Sequence, residues 1–314
     1  MKSNTLAILI LAYCILVACT RTSPNAQLVQ ADSLMQKFPD SALRFLQKIR
    51  PEELNSLEDR AYHALLLTEV KDKNFIQQTE DSQIRIAVQY YDSIKDIPMQ
   101  AKSYYYLGCI WRDKDKHPEA LKEFFKAITY SKKANDNKLT GYIYNNIANI
   151  YLSQRLHEQA DSIYQITEKL AIQEKDSNLW ADVLSQQGMI DINRGKKYYD
   201  EAEQKILTAF KISCHIAQKS MIAKTAYSLS LLYGRMNMGE KAVEYAKLSV
   251  NNQENINMQY RACLVLGDAY YKTAQYDSAL IYLNKGLYSK DHSTKAGIYM
   301  RLADIAQKQG LLEK

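Results

Sequence analysis

The chain has 314 residues and carries 41 Lys+Arg against 35 Asp+Glu, a net charge of +6 that is too mild over this length to imply nucleic acid. Its 10 Gly and 5 Pro fall well below typical usage of roughly 7% and 5%, so turn punctuation is too scarce for a sandwich, a barrel or a hairpin-rich chain. Hydrophobic residues at 46% and charged residues at 24% argue against disorder and against a polytopic membrane protein, which leaves a mostly helical body.

At the N-terminus, Lys2 precedes an apolar run from Leu6 to Val17. The run is shorter than the ~20 residues that span a bilayer as a mature helix, and it reads as the h-region of a signal peptide. The junction Leu16-Val17-Ala18-Cys19 resembles the lipobox of bacterial lipoproteins. That resemblance implies a signal peptide over 1–18, a diacylglycerol on the Cys19 thiol and a polar tether over 19–25. Two or more acyl chains anchor a protein stably, whereas one does so only marginally. The residues after Cys19 are Thr20-Arg21-Thr22, with no aspartate next to the cysteine. By resemblance to Gram-negative sorting signals, the address is the cell envelope, as an outer-membrane lipoprotein facing the periplasm.

Four stretches of the next segment, 26–97, have helical periodicity: Ala26 to Phe38, Pro39 to Ile49, Leu57 to Val70 and Asp81 to Ile94. From Pro98 the pattern becomes regular. Tyr104, Leu107, Gly108 and Trp111 form one helix face, and Ala120, Phe124 and Ala127 form that of a second helix after His117-Pro118-Glu119. The pattern returns as Tyr144, Ile147, Ala148, Tyr151, Ala160 and Tyr164, then as Leu184, Gly188, Ala202, Ile206 and Ala209 with two extra residues in the 195–200 turn. Later copies are Ala226, Leu229, Ser230, Tyr233, Ala242 and Ala246, then Leu266, Gly267, Tyr270, Ala279 and Leu280, and a final half-copy at Tyr299, Leu302, Ala303 and Ala306. Small residues thus recur at 108, 148, 188, 230, 267 and 303, where a first helix crosses its partner too closely for a larger side chain. No single pair buries both of its apolar faces, so stability must come from stacked neighbours. Asp-Ser-Ala-Leu occurs at Asp40 and again at Asp277, which marks 26–97 as degenerate copies of the same pair.

In order and spacing these residues resemble the tetratricopeptide repeat family. Lipobox, Pro-Asp-Ser-Ala-Leu helix and long repeats together resemble the tetratricopeptide lipoproteins of Bacteroidetes. The resemblance implies an all-α, α-α superhelix of stacked antiparallel helix pairs, with about five repeats plus a terminal half-repeat over 98–314. Because the chain stops inside a repeat, the half-copy is either a native cap or the edge of a longer gene. The spacing exceeds the usual 34 residues and the proline that closes each family repeat is missing, so longer helices or longer turns are expected.

No catalytic set emerges. His63, His117, His157, His215 and His292 are dispersed, and HExxH, GxGxxG, GxxxxGK[ST] and GxSxG are absent. Cys14, Cys19, Cys109, Cys214 and Cys263 form neither a disulfide framework nor a zinc spacing, and Cys109 and Cys263 sit at packing positions. The expectation is a protein that is not an enzyme and needs no metal or cofactor. The run from Arg112 to His117 reads as a solvated turn and Trp111 as a core residue.

The family resemblance implies a groove lined by the first helix of each pair. Carried over position by position, it offers Lys102, Tyr105, Tyr106 and Arg112, then Asn145, Asn146 and Asn149, then Gln186 and Asn193, and finally Tyr227, Arg261, Asp268, Tyr271 and Lys272. Side-chain amides beside tyrosines suit an extended peptide. The clamp that some family members use for a C-terminal carboxylate is not matched, since Tyr105, Cys109, Asp182 and Gln186 stand in its places. The expected function is therefore a noncatalytic, lipid-anchored scaffold or adaptor with a protein or peptide partner. A sensory or regulatory ectodomain is the alternative, and a glycan-binding lipoprotein is a more distant one. Nucleic acid is not expected, because Asp182, Asp268 and Asp304 interrupt any basic stripe.

Overall fold

A computed structural model of the chain describes residues 25–310. The expected signal peptide 1–18, Cys19 and the tether up to residue 24 lie outside the described residues. Among those described there are no strands, and every regular element is helical. In chain order they are α1 (Ala26–Leu34), α2 (Pro39–Leu46), α3 (Leu57–Lys73), α4 (Ser82–Ile94), α5 (Ile97–Asp113), α6 (His117–Lys133), α7 (Asn137–Ser153), α8 (His157–Gln173), α9 (Ser177–Arg194), α10 (Tyr199–His215), α11 (Lys219–Arg235), α12 (Gly239–Asn252), α13 (Ile256–Lys272), α14 (Tyr276–Gly286) and α15 (His292–Lys308), with short 3-10 turns at Pro51–Glu53 and Lys196–Tyr198. All four helices expected in 26–97 are present.

The long spacing has a simple local cause. Helices α5, α6, α7 and α8 are each 17 residues long, and three residues separate each from the next. One pair with its turns therefore measures the distance from Gly108 to Ala148. The middle residue of each of these three-residue turns is left-handed: Asp115, Asn135, Arg155 and Lys175 have φ between 52° and 62°. The next residue closes a six-to-one hydrogen bond to the helix it leaves, as Asp136 N–H does to the Ser131 carbonyl at 2.9 Å and Asp176 N–H to that of Ala171 at 2.8 Å. The same aspartates then cap the helix that follows, Asp136 Oδ1 accepting from Leu139 N–H at 2.9 Å and Asp176 Oδ1 from Leu179 N–H at 3.0 Å. Three residues thus stop one helix and start another without proline. The two extra residues after α9 form a 3-10 turn that begins at Gly195, with φ 112°.

The described residues divide into two compact units, one up to Glu123 and one from Phe124; the expected limit at 97/98 falls within the first. In the first unit, Leu28, Ala31, Met35, Ala42, Leu46, Leu54, Leu66 and Val70 form a closed core. Polar contacts pin its helices: Tyr62 Oη donates to Asp32 at 2.7 Å, and His63 Nε2 donates to the Leu46 carbonyl at 3.1 Å. His63 is buried, and loss of water together with Lys71 pulls its pKa below the ordinary histidine value.

In the second unit α7/α8, α9/α10, α11/α12 and α13/α14 pack as pairs, and each second helix also touches the first helix of the next pair. Successive first helices α7, α9, α11, α13 and α15 touch one another directly. Small residues permit the crossings within pairs. A Cβ on Gly267 would lie 2.6 Å from Leu283 Cγ, and one on Gly188 would overlap Ile206. The core of this unit runs from Ala148 and Tyr164 through Ile190 and Ile206 to Leu266 and Ile305.

Two outcomes follow from this architecture. A β-branched residue is a poor fit to left-handed backbone, so Lys175→Val should lower stability in urea unfolding by about 1–2 kcal/mol, while Lys175→Gly should not lower it. Because His63 is held neutral in the fold and takes up its proton on unfolding, stability should fall as pH drops below about 6.5. His63→Gln should flatten that acid slope between neutral pH and pH 5.

Candidate functional site

The sequence-derived groove residues fall on the first helices, but the two units use them differently. In the first unit α5 carries Lys102, Tyr105, Tyr106 and Arg112. Lys102 Nζ lies 3.0 Å from the carboxylate of buried Glu69 on α3. Arg112 pairs with Asp72 at 2.9 Å and Asp113 at 2.7 Å and approaches Cys109 Sγ at 3.7 Å. Tyr105 and Tyr106 are buried, packed edge to face with centroids 4.8 Å apart, and burial pushes both phenols well above their ordinary value. These four bind α5 to α3 rather than presenting themselves to a ligand. The expectation of a solvated run from 112 to 117 is corrected accordingly: α5 continues through Asp113, and Arg112 with Asp113 is drawn into the helix–helix contact because Asp72 lies across from them. Trp111 is half-buried with Lys114 Nζ 4.7 Å above its ring. Cys109 is fully buried, and burial raises its thiol pKa, which keeps it protonated.

In the second unit the remaining residues share one stripe. On each first helix, positions three or four, seven and eleven residues apart lie on one face: Tyr142, Asn145, Asn146 and Asn149 on α7; Asp182, Gln186 and Asn193 on α9; Lys224, Tyr227 and Arg235 on α11; Arg261, Asp268 and Lys272 on α13. Contacts between successive first helices identify it as the face they turn toward each other. Asn145 Nδ2 donates to Asp182 at 2.9 Å, and Asp182 also pairs with Lys224. Ser185 and Ser228 hydroxyls lie 3.1 Å apart. Lys272 pairs with Asp268 at 3.0 Å and donates to the Gly234 carbonyl at 3.3 Å, and Arg301 pairs with Asp268 while its guanidinium stands 4.4 Å above the Tyr271 ring. Apart from the Lys272–Asp268 pair within α13, each of these contacts is a rung that joins one first helix to the next.

Asn145 and Asn146 are buried; Asn146 Nδ2 donates to the Tyr142 carbonyl at 3.0 Å. Both belong to the packing of the stripe. Asn149 and Gln186 are different. Asn149 Oδ1 accepts from Tyr164 Oη at 2.7 Å and from Gln186 Nε2 at 2.8 Å. Tyr164 is fully buried, so the orientation of this amide is fixed from inside the core. Asn149 Oδ1 takes both donors, while Asn149 Nδ2 and Gln186 Oε1 have no hydrogen-bond partner among the described residues, on side chains that are both half-buried. The result is one unpaired amide donor and one unpaired amide acceptor on successive first helices. Asn193 and Arg261 are exposed, Tyr227 is half-buried, and Arg261 opposes the rise that burial imposes on the Tyr227 phenol.

The sequence reading overlooked Lys224, Arg235 and Arg301, and took Asp182 only as a mismatch to the carboxylate clamp and an interruption of charge. The eleven-residue step from Lys224 to Arg235, and the match of Lys224 to Arg261 in the next repeat, are the signals that would have found two of them. Among the described residues no three His, Cys, Asp or Glu side chains are grouped as a metal site, and no helix is long and apolar enough to cross a membrane.

No family model matches the chain, and no curated protein matches it. Solved structures do resemble it. A Rap protein complexed with Competence and Sporulation Factor aligns at 14% identity over 89% of this chain and 78% of its own, with a TM-score of 0.65. NprR in complex with its cognate peptide NprX aligns at 15% identity over 90% of this chain and 82% of its own, with a TM-score of 0.59. A signal transduction ATPase with a tetratricopeptide repeat sensor, from Pyrococcus horikoshii, aligns at 15% identity over 90% of this chain and 43% of its own, with a TM-score of 0.60. At these identities the likeness is one of fold.

Proposed function

Since the chain has the tetratricopeptide-type fold of stacked helix pairs, we propose that it is a noncatalytic scaffold that binds a protein or peptide partner on the first-helix stripe of its second unit. The observation that carries this reading is the amide pair. Asn149 Nδ2 and Gln186 Oε1 are one unpaired donor and one unpaired acceptor on side chains held by Tyr164 and by each other. A peptide unit offers one C=O and one N–H, so an extended segment can satisfy both at once. Because the two side chains are already oriented, little rotamer entropy is lost on binding. Two of the similar folds were solved with Competence and Sporulation Factor and with the cognate peptide NprX, which supports a peptide-type partner here. The lipobox-like junction supports a setting in the cell envelope, with the body tethered through lipid on Cys19 and facing the periplasm.

Two experiments test this. A photo-crosslinking amino acid at Asn193, in living cells, should give a discrete adduct that the same residue at Thr129 on α6 does not. The adduct should be lost in the Asn149→Ala, Gln186→Ala double variant, whose affinity for the partner should fall roughly tenfold or more for two hydrogen bonds worth about 0.5–1.5 kcal/mol each. Equal adducts from both positions, or none, would defeat the reading. For the tether, radiolabelled palmitate should enter the wild-type chain and not Cys19→Ser, which should leave the membrane fraction; membrane retention of that variant would refute lipidation as the anchor.

A further inference from the structure

Charge bookkeeping along the first helices of the second unit is unbalanced in one direction. Helices α7, α9, α11, α13 and α15 contain four carboxylates, Asp182, Asp191, Asp268 and Asp304. Every one is matched: Asp182 by Lys224, Asp191 by Arg194 at 3.1 Å and Lys205 at 2.6 Å, Asp268 by Lys272 and Arg301, and Asp304 by Arg301 at 2.7 Å. Two arginines on the stripe are not used in this way. Arg235 and Arg261 are exposed and have no acidic partner among the described residues. Arg235 stands eleven residues after Lys224, and Arg261 stands seven before Asp268, so helical periodicity puts both on the rung-bearing face.

We propose that the partner segment bound on this face is acidic, with Asp or Glu side chains of an extended peptide seated on Arg235 and Arg261 while its backbone meets Asn149 and Gln186. This rests on the reading of the stripe as a peptide-binding surface and specifies the chemistry of what it takes. Arg presents a planar fork of donors that fits a carboxylate bidentately. Next to Arg261, half-buried Tyr227 supplies an apolar wall that lowers the local dielectric and strengthens such a pair. A nucleic acid backbone fits less well. Its phosphates follow one another without interruption and would run over Asp182, Asp268 and Asp304, whereas carboxylates on a peptide can be spaced to skip them. Because the cations lie within the chain of rungs rather than at a closed end, the acidic side chains are internal to the segment and need no free C-terminus.

The test is selection of random linear dodecapeptides, displayed on phage with their C-termini fused to the coat protein, against the immobilised full chain and against its Arg235→Glu, Arg261→Glu double variant. Both sites are exposed, and circular dichroism checks that the variant remains helical. The wild-type pool should be enriched several-fold in Asp and Glu over the unselected library, and the variant pool should shift toward Lys and Arg. A selected acidic peptide should bind the variant about tenfold more weakly at low salt, with the gap closing as salt screens the charges. Peptides that bind and depend on Asn149 and Gln186, but show no acidic enrichment or are indifferent to the double variant, would overturn the acidic assignment and leave the peptide-binding reading intact. An oligothymidylate that binds as tightly as the acidic peptides, with the same dependence on Arg235 and Arg261, would overturn it as well. Recovery of no binding peptide at all would overturn the peptide-binding reading and the assignment with it.

Discussion

The close crossing of a first helix over its partner is the constraint on which the second unit depends. At Gly188 and Gly267 the space for a Cβ is already filled by Ile206 and Leu283. With that position small, a pair can close on one side and leave its other apolar face to the next pair. Both helices of a pair give apolar side chains to the core, Tyr164 and Leu283 from second helices and Ile190 and Leu266 from first helices, and successive first helices also meet along a face that carries polar contacts.

Much of this was legible in the chain. The small residues at 148, 188, 230 and 267, with aromatic and aliphatic residues at fixed offsets, announce helix pairs because burial enforces side-chain size there, whereas Ala303, on the last described helix, is exposed. The turns were less legible. Asp115, Asn135, Arg155 and Lys175 occupy left-handed backbone without the glycine that usually signals it, so the seventeen-residue helices and their three-residue turns appear only in the structure. The capping aspartates 136 and 176 were the readable trace, since Asp is a favoured N-cap residue.

The proposed binding face was half legible. Family register put Asn149, Gln186, Asn193 and Arg261 on first helices, but register cannot tell a residue that meets a ligand from one that meets its neighbour. Lys102, Arg112 and Asp268 have ion-pair partners one repeat away, and Lys272 donates to a carbonyl one repeat away. Those partners, Glu69, Asp72 and Gly234 among them, lie some 33–40 residues off in sequence. Such distant commitments are a property of stacking, and a single helix viewed alone does not disclose them.

The hydrogen bond from Tyr164 to Asn149 ties the proposed recognition to the interior. A tyrosine with no exposed surface sets which way a surface amide faces, so the outward chemistry of this face is inherited from the packing beneath it. Drift in the core around Tyr164, of a kind that leaves the fold standing, would turn Asn149 and release Gln186 with it. Core and surface therefore cannot evolve independently here: on the proposed reading, ligand preference is open to substitutions that no ligand ever touches.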